Sequence, residues 1–452
     1  MKKQRILLVA VTALLASCTS HSVGGDTPKT SEDSVSDKFT LQIFTGGYGD
    51  APWKYALKEF DKLYGDKYTV IANMDNNVNK TFADRWKNGN EPDFVFLDGS
   101  DIDKPNWLSE GLLEDLTPWL ETAKVQGEDT LIKDKVDSSY WVKYTDSNSK
   151  KTITYGAPLL LNAYGMWYDD ALFSEKKWTM PTNYNELKTF AGKATNEIRN
   201  LIYPGVFSGY LTQGMLVPAF AEMGDEFFNR VINCLDADVY ESAEFKEVMN
   251  RFNEYISLNQ YTVSECLSLN HTSSQMEWLG HKAALIPNGL WLRSEMSKAD
   301  NGNSAIPDGF NMRFSPSPLV KSKQSIVTSS ITCAVASNAK NKKAAKEFLS
   351  ILYRDDVQKQ FVYASDSPSV VKLDLENDKN VTDVLKYTQE VFNNPNYAHK
   401  ANNGSWGGVD KAINDAVNSL VKAHLSGTTY TVDDACKAIK AAAVQEINDR
   451  NF

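Results

Sequence analysis

Cysteine and histidine are scarce in this sequence. It contains five of each, no Cys-x-x-Cys pair occurs, and the histidines are scattered along the chain. A structural zinc site needs four such ligands at short spacings, so a metal centre has no support. Besides Cys18, the cysteines are Cys234, Cys266, Cys333 and Cys436. Cys333 lies in an apolar run and is expected to be a buried thiol, whereas a disulfide among the other three stays open.

Motifs of the common enzyme classes are missing. The turn at 46–49 is glycine-rich but has neither G-x-G-x-x-G nor G-K-[S/T], so it is not a phosphate loop. No G-x-S-x-G marks a serine hydrolase. A glycosidase needs two carboxylates roughly 5 to 10 Å apart, and Asp98, Asp101 and Asp103 are the residues that offer them, although acidic loops are usually solvated or capping. We expect no catalytic residue and no cofactor, with a glycoside hydrolase as an alternative.

Positive charge is in deficit. The chain has 48 Lys and Arg against 58 Asp and Glu, which gives a formal net charge of −10. Such an acidic balance argues against nucleic acid and anionic lipid surfaces as partners. Beyond the first residues, no apolar run is long enough to span a bilayer.

The start of the chain has the pattern of a secretion signal. Basic residues at positions 2, 3 and 5 precede the apolar run Ile6–Ala16, which is too short to cross a membrane. The run ends in Leu-Ala-Ser-Cys at 15–18, which resembles a bacterial lipobox with Cys18 as the lipidated residue. We therefore expect residues 1–18 to be a lipoprotein signal peptide, and the mature chain to be tethered by its lipid to a bacterial membrane, in the periplasm or at the cell surface. An ordinary signal peptide with an incidental Cys18 is the alternative.

The rest of the chain divides into a linker and a folded body. Residues 19–37 are rich in small and polar residues and are expected to be a flexible linker. From residue 38 onward, strand-like runs such as Phe39–Phe44, Asp93–Leu97 and Ser325–Ala336 alternate with helical patterns such as Phe245–Leu258. This alternation predicts an α/β architecture with a sheet whose strand ends face a crevice.

Five segments in a fixed order point to a family. They are Thr81–Leu97, with Gly-x-x-Pro-Asp before an apolar strand, then Leu108–Pro118, Tyr155–Pro158, Leu279–Trp291 and Asn341–Leu349. Together they resemble the family 1 extracellular solute-binding proteins, the maltose-binding-like group of ABC sugar importers. Within that family, Ile286–Met296 and Ile306–Phe310 look most like the N-acetylglucosamine/chitobiose-binding branch.

The resemblance implies a type II periplasmic-binding-protein fold with two α/β lobes, three crossovers and a ligand between the lobes. Mapped on this chain, lobe 1 would comprise 38–158 and 312–364, and lobe 2 would comprise 159–311 and 365–452. The implied function is to bind a sugar, either an amino sugar or an oligosaccharide, as a monomer, and to deliver it to ABC transporter permease subunits without chemistry on the ligand.

Two further classes stay open. One is a surface glycan-binding lipoprotein that has no transporter. The other keeps the fold but binds a polyamine or a metal, which would require several acidic groups, or histidine and cysteine ligands, to converge on the cleft.

A sugar site needs aromatic rings for its apolar faces, and short polar or carboxylate side chains for its hydroxyls. Trp291 matches the family's Gly-x-Trp, and Asp98 ends a buried strand where packing explains a carboxylate poorly. Trp53 fits a core position equally well, and Glu277 is a weaker candidate. The predicted ligand-binding residues are Tyr48, Trp53, Asp98, Asn162, Tyr164, Tyr210, Gln213, Asn288, Trp291 and Trp406.

Overall fold

A computed structural model describes residues 37–99, 101–146, 149–195, 197–207, 209–258, 264–402 and 408–450. Cys18, the predicted lipobox and Trp406 lie outside these ranges. Inside them, no helix combines the length and apolar composition that crossing a bilayer requires.

The described residues form one mixed sheet. Its central path runs β2-β1-β3-β9-β5-β7-β6, with β10 beside β9 and with β4 and β8 beside β5. The neighbours β1/β2, β1/β3, β6/β7 and β9/β10 are parallel, and the other pairs are antiparallel. The strands are β1 (Lys38–Phe44), β2 (Thr69–Asp75), β3 (Phe94–Phe96), β4 (Val142–Thr145), β5 (Thr152–Asp169), β6 (Arg199–Leu201), β7 (Ala283–Gly289), β8 (Met312–Ser315), β9 (Ser325–Val335) and β10 (Ala398–Ala401).

Helices cover the sheet and form most of the C-terminal part. They are α1 (Ala51–Tyr64), α2 (Val78–Lys87), α3 (Lys104–Ser109), α4 (Thr117–Leu120), α5 (Ile132–Lys135), α6 (Asp170–Lys176), α7 (Tyr184–Ala191), α8 (Gly209–Leu211), α9 (Val217–Glu222), α10 (Asp225–Ile232), α11 (Ala243–Ser257), α12 (His271–Leu279), α13 (Leu292–Met296), α14 (Lys342–Leu352), α15 (Asp355–Ser365), α16 (Asp383–Asn393), α17 (Gly408–Ser426) and α18 (Val432–Arg450). A π-helical turn, Thr212–Leu216, joins α8 to α9.

The α/β alternation predicted from the sequence is confirmed, and local chemistry explains several element ends. Pro52 lies in the first turn of α1, where its missing N–H has no intrahelical partner to lose. Ser242 caps α11 by accepting a hydrogen bond from the Phe245 N–H. Asn341 caps α14 in the same way through the Ala344 N–H.

The buried apolar residues form two groups of cores. One group combines β1, β3, α1 and α14, and the other combines α9, α11, α17 and β7. Strands β5 and β9 belong to both: Ala157–Leu161 and Ile331–Val335 pack in the first group, whereas Ala163 and the Ile326–Val327 pair pack in the second. The two long strands therefore connect the cores through continuous backbone.

The chain passes from one core group to the other at positions that differ from the lobe limits expected from the sequence. Met312 and Phe314 of β8 pack in the second group, and so do Leu319 and Val320. Residues of the segment 370–385 pack in the first group up to Leu385. The changes of core therefore fall near 162, 329 and 384, whereas the resemblance put them at 158, 311 and 364. The reason is that β8 pairs with the second half of β5, at Met166–Asp169.

Candidate functional site

Four rings from separate elements meet where the two cores adjoin, and we refer to them as the ring cluster: Tyr164 on β5, Tyr210 on α8, His271 at the start of α12, and Trp291 after β7. The ring centroid of Tyr164 lies 5.7 Å from that of Tyr210 and 5.3 Å from that of Trp291. His271 stacks on Tyr210 at 4.8 Å. The Trp291 indole N–H donates a hydrogen bond to the Tyr210 hydroxyl. All four side chains are half-buried, so each keeps some exposed surface.

A glycine at the end of β7 allows Trp291 to reach this position. Gly289 pairs with Tyr164 across the β5/β7 ladder. A Cβ on Gly289 would lie 2.4 Å from the Trp291 ring, which is closer than any real contact. The Asn-Gly-Leu-Trp sequence therefore lets the indole fold back over the strand end and onto Tyr164.

Helix α13 connects this region to the first core group. Trp291, just before the helix, packs against the first core although β7 belongs to the second. The Ser294 hydroxyl donates to the Ala364 carbonyl oxygen of α15 at 2.5 Å and lies 3.3 Å from the Gly47 carbonyl oxygen. Arg293 forms an ion pair with Asp366 at 2.9 Å. The ring cluster thus lies at the junction between the cores.

Carboxyl groups approach the ring cluster from three elements. The charges of Asp98, Glu295 and Asp410 all act on the Tyr164 hydroxyl, whose pKa is raised first by burial and then by its charged and phenolic neighbours. Burial raises the pKa of Asp98 to about 6, an effect that Lys104 opposes. Burial also raises the pKa values of Glu295 and Asp410, against hydrogen bonds from Gln275 and Asn414 respectively.

Tyr48 completes the first-core side of the site. Its side chain is 5% exposed, and its ring lies 6.2 Å from that of Phe96. Burial raises its pKa, and the charge of Asp98 adds to this effect. Tyr48 and Asp98 are therefore neighbours, as expected for residues that follow adjacent strands β1 and β3.

A buried chain of hydrogen bonds supports the backbone at Asp98. The Trp86 indole N–H donates to Gln42 Oε1 at 2.9 Å, and Gln42 Nε2 donates to Asn79 Oδ1 at 2.9 Å. Asn79 Nδ2 then donates to the Asp98 carbonyl oxygen at 2.8 Å. Because buried polar side chains of this kind are held in one geometry by their partners, the chain holds the turn after β3 in position.

The three predicted amides have different surroundings. Asn162 lies two residues before Tyr164 on β5 and so shares its face of the sheet. It is 5% exposed, and its Oδ1 has no hydrogen-bond partner among the described residues. Gln213 accepts a hydrogen bond of 3.4 Å from Asn402. Asn288 pairs with Gly165, so its side chain lies on the face opposite Tyr164, and its Oδ1 accepts from the Gly289 N–H.

Three further candidates from the sequence are Trp53, Glu277 and Trp406. Trp53 is 0% exposed and packs against Phe94, Phe96 and Phe361, at centroid distances of 6.1, 5.0 and 4.8 Å. A ring enclosed in this way has no face to offer a ligand, so Trp53 is a core residue and not part of the site. Glu277 forms an ion pair with Lys282 at 3.0 Å. Trp406 lies outside the described residues.

Sequence reasoning missed His271, Glu295 and Asp410. Glu295 had a usable signal because it follows Trp291 by four residues in a helical segment, which puts both on one face. His271 and Asp410 had none, since each comes from a helix start that only the folded chain brings to Trp291 and Tyr164. Across the described ranges, no group of three His, Cys, Asp or Glu side chains is arranged to hold a metal ion.

The four cysteines within the described ranges are buried thiols. Cys333 is 1% exposed, which confirms its prediction, and burial raises its pKa. Cys234, Cys266 and Cys436 are buried thiols as well. Burial raises the pKa of the Cys436 thiol to about 11, which disfavours its reactive thiolate form.

Comparison with known proteins identifies the family. The model for bacterial extracellular solute-binding proteins matches residues 46–359, which is more than half of the 452 residues. The diacetylchitobiose binding protein NgcE of Streptomyces coelicolor is 22% identical over 339 residues, 73% of this chain and 69% of that protein.

Solved structures show the same fold at low identity. The apo-form of RafE from Streptococcus pneumoniae has a TM-score of 0.65 at 16% identity, covering 92% of this chain and 100% of RafE. A chitin oligosaccharide binding protein has a TM-score of 0.63 at 16% identity, covering 90% of this chain and 99% of that one. These neighbours confirm the two-lobed periplasmic-binding-protein fold that the sequence predicted. The chain belongs to the family of bacterial extracellular solute-binding proteins.

Proposed function

We propose that this protein binds a carbohydrate, an amino sugar or an oligosaccharide, and delivers it to the permease subunits of an ABC transporter. The observation that carries the proposal is the ring cluster at the junction of the two cores, with polar and carboxyl groups beside it. Half-exposed rings offer apolar faces for sugar C–H groups, and the adjacent acceptors suit sugar hydroxyls.

The relatives support the same ligand class. By their names, NgcE binds diacetylchitobiose and a structural neighbour binds chitin oligosaccharides, while another neighbour was solved with raffinose. None of these names describes an enzyme. The absence of recognised catalytic motifs in this sequence agrees with capture and release without turnover.

The ligand would lie between two lobes whose limits follow the core packing. We assign 38–161 and 330–383 to lobe 1, and 162–329 and 384–450 to lobe 2, in place of the ranges expected from the sequence. Hinge closure around a ligand is an established motion of periplasmic binding proteins. A ligand that contacts both lobes favours the closed state through its higher affinity for that state.

The proposed contact residues are Tyr48, Asp98, Asn162, Tyr164, Tyr210, Gln213 and Trp291, to which His271, Glu295 and Asp410 are added. Asn288 is assigned instead to shaping the turn that carries Trp291. Trp406 stays a prediction.

The cellular setting follows from the first residues. Lipidation of Cys18 would hold the protein at the outer side of a bacterial membrane, with residues 19–37 as a linker, and the folded body acting as a monomer. A surface glycan-binding lipoprotein without a transporter would share these features. The two proposals differ in whether the protein stimulates transport by a permease.

A thermal-shift screen tests the ligand class. The chain from residue 19 onward is heated with mono- and oligosaccharides that include N-acetylglucosamine, diacetylchitobiose and raffinose. A melting temperature that rises with the concentration of one sugar, with no product formed, is the expected result, because ligand binding to the native state stabilises it by mass action. No shift with any sugar would refute the carbohydrate proposal, and product formation would favour the glycoside hydrolase.

A further inference from the structure

The carboxyl groups of the site have little positive charge near them. Lys104 is the one basic side chain of the described residues whose charge acts on Asp98. No described basic side chain has a comparable effect on Glu295 or Asp410. Arg293, the nearest arginine in sequence to Glu295, is held in its ion pair with Asp366. Counted over the part of the chain that the structure describes, the site therefore has three acidic groups and one compensating cation.

The partners of these carboxyl groups are neutral amides. Gln275 Nε2 donates to Glu295 Oε2 at 2.8 Å. Asp410 accepts a hydrogen bond from Asn414, while Asp410 Oδ1 is buried and has no partner among the residues that the structure describes. A buried carboxylate that lacks a cation costs free energy of folding. The cost disappears if the ligand supplies the positive charge.

The side chain of Asn162 points independently to the same ligand chemistry. Asn162 Oδ1 is a buried acceptor without a partner among the described residues, on the face of β5 that carries Tyr164. Asn162 Oδ1 and Asp410 Oδ1 are both acceptors, whereas the buried donor Asn288 Nδ2 lies on the opposite face of the sheet. An ammonium group has three N–H donors and no acceptor, and it is also attracted to the faces of Trp and Tyr rings.

We infer that the preferred ligand is a sugar carrying a protonated amine, whose ammonium group lies between Glu295, Asp410 and the ring cluster. This inference rests on the proposed function and names its substrate class. An N-acetyl group is neutral and brings a carbonyl acceptor into a site rich in acceptors. The free amine of a deacetylated amino sugar supplies the missing charge and donors.

Rings and hydroxyl partners favour a sugar over a simple polyamine. A linear diamine has no apolar ring face for Tyr210 and Trp291 to cover, and no hydroxyls for Gln213. The shared chemistry of the two ligands is the protonated amine, so the experiment includes both.

Isothermal titration calorimetry measures the preference directly. The chain from residue 19 onward is titrated with the disaccharide of glucosamine, with its N,N′-diacetyl form, and with putrescine, at a pH where the amine is protonated. The glucosamine disaccharide is expected to bind about tenfold more tightly than the diacetyl form, which corresponds to about 1.4 kcal/mol. Glu295→Gln and Asp410→Asn are each expected to remove most of this preference while keeping the shape of the side chain.

Glu244→Gln is the matched control, since Glu244 lies exposed in the first turn of α11, and it should leave the ratio unchanged. The ratio of two affinities in one variant also corrects for any loss of folded protein. Equal or tighter binding of the diacetyl form would overturn the inference and keep the carbohydrate proposal. If both variants still bind the glucosamine disaccharide more tightly than its diacetyl form, the ammonium group does not lie beside Glu295 and Asp410. Binding of putrescine alone, or of no ligand, would overturn the proposed function as well.

Discussion

Two groups of aromatic rings lie at similar spacings in this protein but in different surroundings. Trp53 and its phenylalanine neighbours are fully buried, with centroids 4.8–6.1 Å apart. In the ring cluster, Tyr164, Tyr210 and Trp291 are half-buried at 5.3–5.9 Å and have carboxyl neighbours. Ring geometry is thus common to a core and to a binding site. The polar neighbours and the position between two cores distinguish them.

The two groups also differ in what they contribute to stability. The rings around Trp53 remove apolar surface from water, which stabilises the fold. Around Trp291, burial acts on Asp98, Glu295 and Asp410 and opposes their charged forms. Such groups reduce stability, which agrees with the ligand-binding role proposed for them above.

The largest expected effect is that of Trp53→Ala on folding. Removing a large ring from a filled core should lower the free energy of unfolding by about 3–5 kcal/mol. Denaturant titration measures this change. Trp53→Phe, which keeps a ring, should lose less, and the ligand affinity of the folded fraction should stay unchanged. A variant with normal stability and weak ligand binding would contradict the assignment of Trp53 to the core.

Trp291→Ala should give the opposite pattern. We expect ligand affinity to fall about tenfold to a hundredfold, because a buried aromatic anchor is lost from the contact surface. Stability should fall less than for Trp53→Ala, since Trp291 is already half-exposed. Titration calorimetry and denaturant titration on the same preparation separate the two effects. Unchanged affinity for every sugar that binds the parent would remove Trp291 from the site.

The pH dependence of the stability of Asp98→Asn tests whether burial of Asp98 opposes its charged form. With the pKa of Asp98 raised to about 6, the folded protein keeps this proton over a range, from about pH 4 to 6, in which the unfolded chain has lost it. The free energy of unfolding therefore falls as pH rises through that range. Asp98→Asn cannot ionise, so it should be more stable than the parent above pH 6, by on the order of 2 kcal/mol, and lose this advantage near pH 4.

Asp103→Asn is the control for this measurement, because Asp103 is exposed. Thermal unfolding of both variants and the parent from pH 4 to 8 gives the comparison. Parallel curves for Asp98→Asn and the parent would show that burial of Asp98 does not oppose its charge.

The smallest expected effect is that of Tyr210→Phe. This change keeps the ring but removes the hydroxyl that accepts from the Trp291 indole. A loss of one hydrogen bond corresponds to about 0.5–1.5 kcal/mol, so affinity should fall by about tenfold at most. A larger loss would mean that the hydroxyl, and not the ring, contacts the ligand.

Sequence patterns predicted the fold well where the pattern is local. The apolar run before Asp98 is β3, and the helical periodicity at 245–258 is α11. The proposed limits of the lobes depend on long-range pairing, because β8 pairs with β5 from a distant part of the chain. No local pattern encodes that pairing.

The candidate site residues likewise differ in whether a local sequence pattern identifies them. Trp291 is predicted from Asn-Gly-Leu-Trp, which is a continuous signal, and Gly289 is needed where the indole covers the strand end. For Trp53 the sequence leaves a core role and a cleft role equally open, because an amphipathic helix start has the same pattern in both cases, and the structure encloses its ring. His271 and Asp410 have no such signal, because α12 and α17 reach this region only through tertiary packing against β7 and α8.

By itself, the sequence determined the α/β alternation and the family, and it named Tyr164, Tyr210 and Trp291 as candidates, since periodicity and short motifs depend on neighbours along the chain. The tertiary structure alone decided which rings are enclosed and which stay open, and that three carboxyl groups share one region with a single compensating lysine among the described residues. The reason is physical: burial and electrostatic interaction depend on distances in space between residues that lie hundreds of positions apart in the chain.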